Sequence, residues 1–92
     1  MPEVTLYIPT PLQPYAGQHR TIRAEASTVG ELLDAIAAEH PDLVARIRTR
    51  DGALRPYVNL FVRRMDIREL DGLDTALGDG DEVIVMPSVA GG

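Results

Sequence analysis

An α+β fold, with a mixed sheet of four to five strands packed on one main helix, is what this sequence predicts. Three observations carry that prediction. Apolar residues alternate with a period of two near the start and again in the second half, and one stretch between them repeats at helical spacing. The chain has 92 residues, 45% of them hydrophobic, enough for one core and too few for two.

The first segment, Glu3 to Ile8, sets Val4, Leu6 and Ile8 against Thr5 and Tyr7, the pattern of a half-buried strand. Pro9, Pro11 and Pro14 stop it, and PTPLQPYAGQ reads as a loop. Arg20 to Glu25, with Ile22 and Ala24 on one face, makes a second strand and an antiparallel hairpin with the first. In STVGELLDAIAAEHPD, Thr28 followed three residues later by Glu31 fits a capping box, in which the two side chains satisfy backbone amides at a helix start. Val29, Leu32, Leu33, Ile36 and Ala37 then recur at helical spacing, and Pro41 is expected to end the run. Asp42 to Arg48 predicts a shorter helical piece, and the polar RTRDGALRP an exposed loop.

Strands return in the second half. Tyr57 to Arg63 alternates Val58, Leu60 and Val62 against Tyr57, Asn59 and Phe61. Met65 to Arg68 predicts a short edge strand behind an Arg63-Arg64 turn, and LDGLDTALGDGDE a run of turns with a tight one at Asp79-Gly80. Glu82 to Met86 is the last strand, closed by Pro87. A crossover through the helix can lay it parallel to the first strand in the sheet centre. The predicted core is Val4, Leu6, Ile8, Ile22, Leu32, Leu33, Ile36, Val58, Leu60, Val62, Val83 and Val85. This order of elements is that of a β-grasp, or ubiquitin-like, fold, with a domain over residues 1–87 and a flexible tail over 88–92.

Composition removes several function classes. Cysteine is absent, so no disulfide, thiolate metal site or cysteine nucleophile is available. The formal charge of -5 disfavours nucleic acid, and no apolar run reaches the roughly 20 residues needed to span a bilayer, so a cytoplasmic location is expected. All nine basic residues are arginine. His19 and His40 lack a second histidine at metal-ligand spacing, and surface duty outweighs ligation for both. The acidic residues from Asp66 to Glu82 lack the spacing of a calcium loop, and Gly78-x-Gly80 has neither the following helix nor the lysine of a phosphate loop. Arg46, Arg48 and Arg50 form a basic patch without interleaved aromatics, a solvated face before it is a nucleic-acid site. No catalytic residue and no metal site is assigned.

What remains is the ending, SVAGG. A carboxylate resists nucleophiles until an oxygen becomes a leaving group, which transfer of AMP from ATP accomplishes. To enter a partner's active site the residues behind it must be narrow and pliable, and glycine has no side chain and the widest φ/ψ freedom. Ala90, Gly91 and Gly92 supply such a thread, and Pro87 limits where it begins.

The stretch GDGDEVIVMPSVAGG resembles the ending of the ubiquitin-like sulfur carriers of the MoaD/ThiS family, where a DGDEV-type turn and strand precede an exposed Gly-Gly. VTLYIPTPLQPYAGQ and YVNLFVRRMDIRELDG resemble its CysO-type branch, so the likeness spans nearly the whole chain. The resemblance implies that the Gly92 carboxylate is adenylated by a MoeB-type activating enzyme and converted to a thiocarboxylate, a nucleophilic sulfur carried on the backbone end. It implies a sulfur-accepting synthase, of the cysteine synthase type or another, and in the CysO-type branch a zinc peptidase that frees the product. ATP, pyridoxal phosphate and zinc then belong to the partners, and the chain binds no cofactor and is not itself an enzyme. Cysteine is the first acceptor implied; molybdopterin, thiamin and a secondary metabolite stay open. So does a different class, a ubiquitin-like modifier joined to protein amines through the same tail, although a chain without lysine cannot form lysine-linked polymers of itself. The alternation places Tyr57, Phe61, Ile84 and Met86 on the sheet face turned away from the helix, and partner docking is expected there through Phe61, Ile84 and Met86 but not through Tyr57.

Overall fold

In the computed structural model, which describes residues 1–87, β1 (Glu3–Tyr7) and β2 (Thr21–Glu25) form the expected antiparallel hairpin, with Leu6 opposite Ile22. The stretch between them is more ordered than the loop expected from its prolines. Thr10–Ala16 is a 3-10 helix that contains Pro14, buries Ala16 and ends on Gly17 at a φ of 62°. Proline is tolerated in its first turn because an amide there has no partner within the helix. The Gln13 Nε2 donates to the Ile8 carbonyl at 3.1 Å, which ties this segment back to the end of β1.

Helix α1 (Val29–Ala37) starts as the capping box requires. The Glu31 amide donates to Thr28 Oγ1 at 3.2 Å, and Glu31 Oε1 accepts from the Ser27 amide at 2.9 Å, one residue ahead of the cap. Its apolar face, Val29, Leu32, Leu33 and Ile36, is fully or almost fully buried. The helix stops at Ala37, before Pro41. The run thus ends before Pro41 as expected, and that proline also opens α2 (Pro41–Ile47) as its first residue, where no amide hydrogen is needed.

Residues 48–55, expected to be an exposed loop, are partly held down. Arg48 is half-buried, its Nε donating to the Gly52 carbonyl at 2.9 Å and its Nη1 to Asp34 Oδ1 at 2.8 Å. Its aliphatic stem can bury while the charged head stays paired. Leu54 forms a β-bridge with Arg48 and packs against the core.

The second half supplies β3 (Val58–Val62), β4 (Met65–Asp66) and β5 (Glu82–Pro87). Arg63 and Arg64 both have positive φ, the two-residue turn that matches strand twist. β4 is shorter than expected because a 3-10 turn, Ile67–Glu69, takes over and buries Ile67. The sheet order is β2-β1-β5-β3-β4. β5 lies in its centre, parallel to β1 with Leu6 beside Val83 and antiparallel to β3 with Leu60 opposite Val85.

Two contacts set that parallel pairing. The Glu3 amide donates to Asp79 Oδ1 and its carbonyl accepts from Gly80, both at 2.9 Å, so the turn before β5 clamps the start of β1. Gly80 has a φ of 85°, which only glycine adopts without strain. Of the predicted core residues only Ile22, on the peripheral β2, is less than buried. The segment read as a run of turns also does more than turn. It contains a 3-10 turn at Gly72–Asp74, bonds the start of α1 through Val29 to the Thr75 carbonyl (3.1 Å) and Leu77 to the Ser27 carbonyl (2.9 Å), and buries Leu77.

Replacing Thr28 with alanine removes the cap acceptor and should cost about 1 kcal/mol, lowering the melting temperature by roughly 4–8 °C for a domain of this size. Differential scanning calorimetry checks this. A melting temperature equal to that of the parent would mean that the hydroxyl does not stabilise the helix start.

Candidate functional site

The tail residues singled out by sequence, Ala90, Gly91 and Gly92, lie outside the described residues, so the structure informs on where they attach. Attachment is to the central strand of the sheet. β5 is paired along both edges, from Thr5-Glu82 to Tyr7-Ile84 with β1 and from Val62-Val83 to Val58-Pro87 with β3. Val83 and Val85 point into the core, so residues 82, 84 and 86 face outward. Pro87 opposes Val58 at the last pair of the ladder, the one place where a central strand tolerates a residue with no amide hydrogen.

The outer sheet face brings the predicted docking residues together. Phe61 lies directly opposite Ile84, and Met86 opposite Asn59. The parallel register adds Tyr7 beside Ile84. Tyr7, Ile84 and Phe61 thus form one row across three adjacent strands, each about 4.8 Å from the next. Ile84 is 43% and Met86 52% exposed, Tyr7 37%, and Phe61 is half-buried, so the row is an open apolar surface that ends where the chain leaves the sheet.

Polar groups rim the row. Asp66 lies opposite Phe61 and Thr21 opposite Tyr7. Arg68 holds one side: its guanidinium donates to Asn59 Oδ1 at 2.9 Å and to the Val58 and Arg55 carbonyls at 2.8 Å, and it pairs with Asp66 at 3.8 Å. On the other side Tyr7 donates its hydroxyl to Glu82 Oε2 at 2.7 Å. That hydrogen bond, with the carboxylate charge behind it, raises the Tyr7 phenol above its ordinary pKa.

Tyr57 departs from the expected placement. It precedes β3 and lines a cleft of about 290 Å³ at the end of the sheet with Leu12, Arg46, Arg55, Val58 and Pro87. Tyr7, Glu82 and Arg68 were missed as site residues. For Tyr7 the signal was present in the alternation against Leu6, but only the parallel register makes it a neighbour of Ile84.

The remaining candidates stay apart from this face. His19 and His40 approach edge-on, with ring centroids 6.2 Å apart, His19 exposed and His40 half-buried. Among the described residues no group of three His, Cys, Asp or Glu is placed to hold a metal, and no helix is long and apolar enough to cross a membrane. In the basic patch, Arg48 is taken up by Asp34, while Arg46 lies over the Tyr15 ring at 4.4 Å.

Comparison with known proteins places this geometry. The ThiS family model matches residues 6–92. The sulfur carrier protein CysO of Mycobacterium tuberculosis is 36% identical over 91 residues, covering 97% of this chain and 98% of that protein. Small archaeal modifier protein 3 of Haloferax volcanii is 44% identical over 66 residues, covering 72% of this chain and 71% of that one. In structure, a chain of the Amycolatopsis orientalis BexX/CysO complex superposes with a TM-score of 0.89 at 34% identity, over 97% of this chain and 99% of that one. The fold is therefore the β-grasp, as expected from the order of elements.

The Tyr7–Glu82 contact gives a titration test. An ionised phenol beside the carboxylate is disfavoured, so the folded chain keeps the Tyr7 proton to higher pH, and the stabilisation from this contact is lost as pH rises through the raised value. Glu82→Gln should move the Tyr7 midpoint downward, read from its ring resonances by NMR. An unmoved midpoint would show that the hydrogen bond does not form in solution.

Proposed function

This chain belongs to the ThiS family, and on that footing we propose that it is a sulfur carrier whose Gly92 carboxylate is the loading site. The carrying observation is the position of β5: the strand leading to the tail is clamped between β1 and β3, and it emerges beside an exposed apolar row. Such a strand gives a partner a rigid surface to grip close to where the tail begins. Residues 1–87 are the β-grasp domain and 88–92 its tail.

The chemistry follows from the inertness of a carboxylate. An activating enzyme of the MoeB type joins a Gly92 oxygen to the α-phosphorus of ATP with release of pyrophosphate. A sulfur donor then attacks the carbonyl carbon and AMP leaves with that oxygen, so one oxygen is exchanged for sulfur. The thiocarboxylate is the nucleophile offered to a synthase, with cysteine biosynthesis the first reading because CysO proteins are among the relatives. Pyridoxal phosphate in the synthase and zinc in a releasing peptidase are the partners' cofactors. The chain is their substrate and supplies no catalyst of its own.

A second reading is favoured by the small archaeal modifier protein of Haloferax volcanii at 44% identity: conjugation to protein amines through the same carboxylate. Intact mass separates the two. After incubation with the activating enzyme, ATP and a sulfur source, a carrier gains the mass of one sulfur less one oxygen, whereas a modifier appears as adducts on other proteins. A chain lacking Gly91 and Gly92 should do neither; if that shortened chain keeps its activity, the tail is irrelevant and the proposal falls.

Docking through the outer face is tested by Phe61→Asp. One buried charge in an interface core should lower kcat/KM for adenylation on the order of a hundredfold while circular dichroism stays that of the parent. Unchanged activation kinetics would remove Phe61 from the interface.

A further inference from the structure

The chain carries a net charge of -5, yet among the described residues the cleft beside Pro87 is lined by two arginines and no carboxylate. Arg46 lies with its guanidinium carbon 4.4 Å from the Tyr15 ring centroid, and Arg55 donates its Nε to the Ala45 carbonyl at 3.0 Å. Both are positioned by neutral groups. Among the described residues neither forms an ion pair, whereas Arg23, Arg48, Arg63 and Arg68 each have an acidic partner. A cation held in place without a counter-ion keeps most of its charge available to an incoming anion, and a planar guanidinium suits a carboxylate in particular.

The rest of the lining is apolar or aromatic: Leu12, Tyr57, Val58 and Pro87. Pro87 is also the last described residue, and the five residues after it span at most about 17 Å. Any enzyme that acts on Gly92 must therefore bring its own surface within that distance of the cleft. Met86, on the outer face, and Pro87, on the cleft wall, are consecutive, so one partner can cover both surfaces.

We infer that this cleft is a second docking site for the activating enzyme, receiving an aspartate or glutamate side chain presented next to an apolar one. The inference rests on the sulfur-carrier reading and adds to it a partner surface of stated chemistry, separate from the Phe61 row. The apolar row supplies contact area, and the arginines supply orientation and a faster encounter with an acidic patch.

The test is ATP–pyrophosphate exchange by the activating enzyme with the full chain as substrate. The variants are Arg46→Glu with Arg55→Glu, the milder pair Arg46→Gln with Arg55→Gln, and, as a control of equal charge change per site, Arg20→Glu, an exposed arginine just ahead of β2 that lines neither the cleft nor the Phe61 row. The Glu pair should raise KM on the order of tenfold or more with kcat within about twofold of the parent, and the Gln pair should fall between. The fall of kcat/KM with added salt should be shallower in both pairs than in the parent. A KM within about twofold of the parent in folded Gln and Glu pairs overturns the inference, as does an equal effect from Arg20→Glu, which would show only general charge. If the parent chain itself supports no exchange, the sulfur-carrier reading fails, and with it this one.

Discussion

Parallel pairing between the first strand and the last is the constraint on which the rest of this molecule depends. Antiparallel neighbours can be joined by a short turn, but a parallel pair needs a crossover, and here everything between Tyr7 and Glu82 serves as one. Because β5 enters between β1 and β3, it completes the ladder on both sides and joins the hairpin to the second half of the sheet. The Asp79-Gly80 turn fixes the register by binding the amide and carbonyl of Glu3. A slip of one residue would turn Val83 and Val85 outward and Ile84 and Met86 into the core.

That constraint also explains why one strand serves two purposes. Its inward residues fill the core against Leu6 and Leu60, while its outward residues place Ile84 and Met86 between Tyr7 and the Phe61 strand. A partner that grips the outer face therefore grips a segment that resists local opening, since it is tied along both edges. The tail beyond Pro87 is then attached to a fixed point.

Much of this could be read from the residues. The capping box at Thr28 and Glu31 is a local signal, satisfied by atoms three and four residues apart, and it is found as expected. Strand faces follow from a period of two, so Phe61, Ile84 and Met86 were placed on one face correctly. Neighbours across strands are another matter. Alternation says that Tyr7 faces outward and leaves open which strand lies beside it, and the parallel register that seats it next to Ile84 is a tertiary fact. Proline misled once: the Pro9–Pro14 stretch folds into a 3-10 helix, because proline is excluded only where its amide is needed. Ile67 and Leu77 went unrecognised as core because they sit in segments too short to show a period.

Fragment-ion mass spectrometry of the chain after activation locates the sulfur on a single functional group. If Gly92 is the loading site, sulfur replaces one oxygen and every fragment carrying this change contains Gly92, while fragments ending before it keep the parent mass. Sulfur located on any other residue, or an activated chain whose Gly92 fragments are unchanged, would contradict it.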